Sequence, residues 1–91
     1  MNKEGKYELR SKSKSMGPTM NIGKEGLTPS TIEEVKTQLR RNKLIKIKVL
    51  KSFAETMDKK EVGKRLSEET NSVLIDNVGF VYVLADPSIV K

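Results

Sequence analysis

The order of its strand-like and helix-like segments is the feature that most restricts how this chain can fold. Four segments have the residue pattern of strands, namely 19–22, 44–50, 73–76 and 80–84. Helices are predicted between the first three of them, beginning at Thr28 and near Asp58. Because each helix joins two strands, part of the sheet should be parallel, with right-handed crossovers. The sequence therefore predicts an α/β fold, with a four-stranded mixed sheet and two or three helices.

Capping residues mark the predicted ends of both helices. Thr28 can accept a hydrogen bond from the first turn, and Pro29 at the first helical position lacks an N–H that would have no partner there. Asp58 and Glu61 have the spacing of a capping box, and Asn71 is a suitable C-terminal stop. These local signals make the two helices the best-defined elements of the prediction.

The N-terminal segment, residues 1–16, differs in character from residues 17–91. It is polar and basic, with serine and lysine alternating over 11–15, and it indicates either a short helix or a disordered basic arm. Residues 17–91 are expected to form a single domain, since a chain of 91 residues supports one modest core. Phe53, in the connection after the second strand, should contribute to that core.

The absence of two residue types excludes most of the common chemistry of active sites. The chain has no cysteine and no histidine, so disulfides, thiolate metal sites and Ser–His or Cys–His nucleophile pairs are impossible. We therefore expect neither an enzyme nor a cofactor or metal. The start of the chain lacks the apolar run of a secretory signal, and the longest apolar stretch, 79–85, is too short to span a bilayer. The sequence predicts a cytoplasmic protein that does not enter a membrane.

Positive charge is concentrated in one part of the chain. The formal net charge is +6, which favours polyanionic partners, nucleic acid before acidic membrane surfaces. The segment 35–51 holds seven of the eighteen basic residues and no acidic residue: Lys36, Arg40, Arg41, Lys43, Lys46, Lys48 and Lys51. Charges of one sign repel one another, so such a cluster indicates an anionic partner, with a solvated surface as the alternative.

A short glycine-flanked loop lies between the first predicted strand and the first predicted helix. It consists of Gly23, Lys24, Glu25 and Gly26. The glycines allow another molecule to approach the backbone, the helix N-terminus beside them suits a phosphate, and Lys24 adds a cation. KH modules clamp a nucleic-acid backbone with such a GxxG loop. The same residues could also form only a tight strand-to-helix turn, and Glu25 excludes a nucleotide-binding P-loop, which needs Ser or Thr there.

Residues 18–87 resemble the CRM domain, the YhbY-like family of ribosome-associated and RNA-splicing modules. The resemblance rests on the order and spacing of several pieces: 22–28, 44–49, 69–70, 78–79 and 82–84. It implies a fold similar to the C-terminal domain of bacterial translation initiation factor three, and RNA binding at the GxxG loop. It matches the basic positions of the second strand to Lys46 and Lys48. For stand-alone members it also implies association with precursors of the large ribosomal subunit.

These observations lead to one functional hypothesis and two alternatives. The hypothesis is non-catalytic binding of structured RNA by a monomer, with the loop and the nearby cations forming one continuous phosphate-binding surface. The predicted RNA-binding residues are Gly23, Lys24, Glu25, Gly26, Lys36, Arg40, Arg41, Lys43, Lys46 and Lys48. The alternatives are a DNA-binding basic protein of chromatin type and a protein-interaction module with an acidic partner.

Overall fold

The computed structural model describes residues 3–51 and 57–91, so the prediction for Phe53 lies outside the described residues. The helices are α1 (Lys6–Lys14), α2 (Pro29–Asn42) and α3 (Lys59–Thr70). The strands are β1 (Met20–Ile22), β2 (Leu44–Val49), β3 (Val73–Val78) and β4 (Val81–Ala85). A short 3₁₀ turn, Pro87–Ile89, follows the last strand. Residues 6–14 thus form a helix, which was one of the two alternatives for the N-terminal segment.

The four strands form one mixed sheet in the order β1-β2-β4-β3. β1 pairs with β2 in parallel, and β4 pairs antiparallel with both β2 and β3. Since β2 and β3 are both antiparallel to β4, they run in the same direction. Each of α2 and α3 therefore crosses over between parallel strands, as the order of segments requires. The predicted fold class, an α/β domain with a four-stranded mixed sheet and three helices, is confirmed.

Side-chain caps fix where the two crossover helices begin. The Thr28 hydroxyl accepts a hydrogen bond from the N–H of Thr31 at 3.2 Å, and such a cap contributes about 1 kcal/mol. At the start of α3, the Asp58 carboxylate accepts from the N–H of Lys60 at 2.8 Å. The predicted capping box with Glu61 is therefore wrong, because that motif requires a bond to the third N–H and not the second. Asn71 ends α3 with a φ of 53°, as predicted.

Two hydrophobic clusters cover the two faces of the sheet. The larger one packs α2 and α3 against one face and consists of Met20, Ile22, Val35, Leu39, Ile45, Ile47, Val49, Val62, Leu66, Tyr82 and Leu84. The smaller one packs α1 against part of the other face and consists of Leu9, Ile75, Val83, Ala85 and Ile89. Alternating side chains of β2 enter the larger cluster, so its two lysines point to the face on which α1 lies.

Tyr82 is a core residue that also anchors the start of α3. Its ring is fully buried, and its hydroxyl donates a hydrogen bond to the carbonyl of Lys59 at 2.8 Å. Burial raises the pKa of the Tyr82 phenol, and the charge of Asp58 raises it further. The ring is therefore unavailable for stacking on a nucleic-acid base.

Candidate nucleic-acid interface

The glycine loop is a tight turn whose conformation depends on Gly26. The N–H of Gly26 donates to the carbonyl of Gly23 at 3.1 Å, which closes a four-residue turn. Gly26 has a φ of 72°, whereas neither Lys24 nor Glu25 has a positive φ, so the turn fits type I and excludes type II. The hydrogen bond of the turn uses neither the N–H of Lys24 nor that of Glu25, and both residues are exposed.

The ends of two parallel strands place this loop at one edge of the sheet. Ile22, the last residue of β1, lies opposite Val49, the last residue of β2. The N–H of Leu50 donates to the carbonyl of Ile22 at 2.8 Å, and that of Val49 donates to the carbonyl of Phe80 at 2.8 Å. We call this edge the loop end of the molecule; it comprises residues 22–26, 49–50 and 79–80. α2 also begins there, directly after the loop.

Two of the predicted cations lie at the loop end and are exposed. Lys24 is in the turn itself. Lys48 pairs in the sheet with Asn21, which is two residues before Gly23. Within residues 3–51 and 57–91, neither lysine forms an ion pair with a carboxylate. Both charges are therefore available to an incoming anion. A shallow recess lined by Asn21, Gly23 and Lys48 connects the strand edge with the loop.

The other lysine of β2, Lys46, is occupied by a structural role. Its ammonium group donates to the carbonyls of Ser13 at 3.1 Å and Met16 at 3.0 Å. These carbonyls lie at the C-terminal end of α1, where the helix has unsatisfied acceptors and partial negative charge. Lys46 therefore ties α1 to the sheet, while its neighbour Lys48 remains exposed.

This difference predicts opposite consequences for the two lysines. Replacing Lys46 with Met should lower the free energy of unfolding by about 1–2 kcal/mol, because two charge-assisted hydrogen bonds are lost. Replacing Lys48 with Met should change it by less than about 0.5 kcal/mol. Urea denaturation of the two matched variants checks this, and equal costs would show that the contacts of Lys46 do not hold α1.

Three of the remaining predicted cations lie at the end of α2 away from the loop, and Lys36 lies between the two ends, where it lines a recess with Leu27 and Pro29. Arg40 and Arg41 occupy the last turn of α2, and Lys43 follows that helix. Because α2 runs from the loop end to the start of β2, its fourteen residues separate the two ends by about 20 Å. Lys43 is also paired with Asp86 at 3.9 Å, and Lys36, midway along α2, is paired with Glu33 at 3.4 Å. The expectation of one continuous surface is therefore wrong: Lys48 joins the loop, and residues 40–43 do not.

Asp86 shows that the opposite end is organised by internal contacts. Its side chain accepts a hydrogen bond from the N–H of Ser88 at 2.9 Å and caps the 3₁₀ turn. The hydrogen bonds from Ser88, followed by the charge of Lys43, hold the pKa of Asp86 below its usual value. Lys43 thus has a carboxylate partner, whereas Lys24 and Lys48 have none among the described residues.

Glu25 places a negative charge inside the loop. One of its carboxylate oxygens lies 3.1 Å from the point where a Cβ on Gly23 would be, so the side chain folds back over the loop backbone. An approaching phosphate meets this carboxylate next to the amides it would use. Glu25 therefore belongs to the loop but opposes an anion there.

Neutralising this charge should strengthen binding of a polyanion. For Glu25→Gln we expect a two- to fivefold higher affinity for RNA, since an exposed charge interaction contributes about 0.4–1 kcal/mol. Fluorescence anisotropy at constant ionic strength measures the change. Glu68→Gln, at an exposed position near the C-terminal end of α3, is the control and should leave the affinity unchanged. A lower affinity for Glu25→Gln would mean that the carboxylate itself contacts the RNA.

Part of the sheet face around Lys48 was not recognised as a surface from the sequence. The strand registers align Asn21, Lys48, Val81 and Val78 in one row across all four strands. Val78 is 68% exposed although it lies in a strand. The face is open because α1 is short: its nine residues extend about 14 Å and cannot cover a whole face. The sequence does not reveal this, because it leaves residues 1–16 undecided between a helix and a disordered arm.

The described residues hold neither a membrane-crossing helix nor a metal-binding cluster. No helix within 3–51 or 57–91 is long and apolar enough to cross a bilayer. The same ranges contain no group of three acidic side chains placed to hold a metal ion.

The fold and the loop together define a class: a small α/β domain in which a glycine turn connects the first of two parallel strands to the crossover helix between them. Comparison with known proteins identifies the family, because residues 1–85 match the model of the CRS1 / YhbY (CRM) domain. The chain belongs to this family, as the resemblance in the sequence implied.

Relatives and a solved structure agree with this assignment. The chain is 33% identical over 76 residues to Probable RNA-binding protein YqeI of Bacillus subtilis, covering 84% of this chain and 77% of the relative. It is 29% identical over 83 residues to an RNA-binding protein of Haemophilus influenzae, covering 91% and 82% of the two chains. The solution structure of the hypothetical protein SAV1595 from Staphylococcus aureus, whose description proposes RNA binding, superimposes with a TM-score of 0.74 at 33% identity. That match covers 89% of this chain and 82% of the other.

Proposed function

We propose that this protein binds structured RNA without catalysing a reaction, and that the contact is centred on the loop end. The observation that carries the proposal is the proximity of two exposed lysines, Lys24 and Lys48, to the turn formed by Gly23–Gly26; neither has a carboxylate partner in the part of the chain that the structure describes. Phosphate groups are bound by such cations together with backbone N–H groups. The RNA-binding descriptions of the relatives support an RNA partner for this chain as well.

The chemistry of this end favours contacts with the RNA backbone. Of the two aromatic residues of the last hairpin, Tyr82 is buried and Phe80 is partly buried beneath the ammonium of Lys59, 4.7 Å from the ring centre. Lys59 adds a further cation at the loop end. Binding by charge and backbone amides reads the shape of an RNA more than its bases.

The distal cations have a secondary role in this proposal. Arg40, Arg41 and Lys43 would be reached only by an RNA long enough to follow α2 away from the loop. Lys36 lies nearer, where it lines a recess with Leu27 and Pro29, and Lys46 acts through its support of α1. A ribosomal RNA precursor offers such extended helices. We therefore propose a role in assembly of the large ribosomal subunit, in the cytoplasm and as a monomer, in line with the resemblance to stand-alone CRM proteins.

The loop itself is tested by Gly23→Asp. Gly23 has no positive φ, and a Cβ there would meet only the flexible end of Glu25, so the variant should fold. A carboxylate at this position should weaken binding to a stem-loop from large-subunit RNA by about tenfold or more. Unchanged affinity would remove the loop from the site.

Two further experiments separate the classes of partner. In a competition with duplex DNA of equal length, a preference for DNA would favour the chromatin-type alternative. Capture of an acidic protein that survives nuclease treatment would favour the interaction module.

A further inference from the structure

The sheet carries an exposed row of side chains that begins beside the glycine loop. Asn21, Lys48, Val81 and Val78 are aligned in consecutive strands, in that order from the β1 edge to the β3 edge. Neighbouring strands lie about 4.8 Å apart, so the row is about 15 Å long. Asn21 is two residues from Gly23, which makes the row continuous with the loop end.

The helix on this face of the sheet stops short of the row. Leu9 of α1 packs with Val83, Ala85 and Ile75, and the last turn of α1 is held at Lys46. Beyond it the face is open: Asn21 and Lys48 are exposed, Val81 is half-buried and Val78 is 68% exposed. A β-branched side chain so exposed in a strand leaves apolar surface in contact with water.

A recess of about 270 Å³ lies between this row and the end of α1. Its floor is apolar, formed by Val78, Val81 and Val83, and the exposed Lys14 stands at its rim. Lys46 also lines the recess, but its ammonium group is bonded to the end of α1. The acidic residue in its lining, Asp76, is paired with Arg10 at 3.8 Å and accepts the N–H of Asn77 at 3.0 Å. An apolar floor with a cationic rim suits a planar nucleobase that carries an anionic phosphate.

We infer that this row binds unpaired nucleotides of the RNA whose backbone contacts the glycine loop. The inference rests on the proposed function and specifies which structured RNA the protein recognises, namely a helical stem with a single-stranded extension. A strand with one phosphate at residues 23–26 continues over Asn21 and Lys48, which places the next bases against Val81 and Val78. Sheet surfaces bind unpaired bases in other RNA-binding modules by stacking; here two valines supply the apolar contact.

Two RNAs and three variants test this assignment. The RNAs share one stem and differ in a single-stranded overhang. Val78→Asp places a charge on the row, and Val78→Thr replaces a methyl group by a hydroxyl without changing shape or charge. Lys64→Gln is the control: it changes the net charge by the same amount as Val78→Asp, but at an exposed position of α3 on the opposite side of the sheet.

The wild-type protein should prefer the RNA with the overhang. Val78→Asp should bind that RNA about fivefold or more weakly and Val78→Thr about twofold more weakly, so that the preference over the blunt stem falls. Lys64→Gln should keep the preference. Adding the overhang RNA to the wild-type protein should also shift the backbone amide resonances of Val78 and Val81, which gives a readout even if Val78→Asp unfolds.

The possible failures are distinguishable. In the first, Val78→Thr and folded Val78→Asp keep the wild-type preference for the overhang RNA, and the amide resonances of the loop shift while those of residues 78 and 81 do not. The row is then not part of the RNA site, and the loop still is. If the wild-type protein binds neither RNA, the proposed function itself is contradicted.

Discussion

Replacing Lys24 and Lys48 together with alanine is expected to weaken RNA binding by about tenfold to a hundredfold at moderate salt. Both lysines are exposed at the loop end and lack a carboxylate partner among the described residues. Each should neutralise about one phosphate, so the slope of log affinity against log salt concentration should also fall by about two in the double variant. Fluorescence anisotropy with a labelled stem-loop, repeated over a range of salt concentrations, measures both quantities.

The matched control removes two charges from the other end of the molecule. Arg40 and Arg41 are exposed in the last turn of α2, and replacing both with alanine lowers the net charge by the same amount. With a short stem-loop that cannot reach this end, the loss of affinity should stay below about threefold, because only long-range attraction is reduced. Equal losses for the two double variants would mean that net charge, and not the loop end, determines binding.

A second large effect is expected for Leu9→Ala, on stability. Leu9 is 2% exposed and is the side chain by which α1 enters the smaller cluster, against Ile75, Val83 and Ala85. Truncating a leucine at such a site lowers the free energy of unfolding by about 2–5 kcal/mol. That is a large part of the total stability of a domain, which is about 5–15 kcal/mol. Urea denaturation followed by circular dichroism measures the loss.

Tyr7→Ala provides the control on the same helix. Tyr7 is 78% exposed, so its truncation should change stability by less than about 0.5 kcal/mol. If Leu9→Ala costs no more than Tyr7→Ala, α1 is not part of the cooperatively folding domain. The position of Lys46, which bonds to the end of α1, would then have to be reconsidered as well.

The parts of the fold that were predictable are those determined by local sequence. Thr28 and Asp58 begin helices, and the alternation of Ile45, Ile47 and Val49 with lysines defines β2, because caps and side-chain periodicity act within a few residues. α1 could not be decided in this way. Within it, Leu9 is the one buried large apolar side chain among the described residues, so its helix depends on contacts with the sheet that the local sequence does not reveal.

The candidate site is only partly predictable because residues that are close in sequence need not be close in space. Arg41 and Lys43 are close to Lys48 along the chain, but α2 runs the length of the sheet and β2 runs back. Because β1 and β2 are parallel, the crossover helix must return the chain to the end of the sheet where β1 begins. Residues 40–43 therefore lie at the end of the molecule away from the loop.

The different roles of Lys46 and Lys48 could not be obtained from the sequence. Both point to the same face of the sheet, as alternation predicts, and the resemblance to the family implied the same role for both. What separates them is where α1 ends: its terminal carbonyls reach Lys46, while Lys48 lies in the row beyond the helix. This depends on the docked position of α1, which only the tertiary structure provides.

The most direct test of the central claim is to map where RNA contacts the wild-type protein by following backbone amide resonances as a stem-loop is added. The loop end should respond most strongly, with the largest shifts at Lys24, Glu25 and Lys48. Largest shifts at Arg40, Arg41 and Lys43, with residues 23–26 unmoved, would contradict the account, because the RNA would then bind at the opposite end of α2.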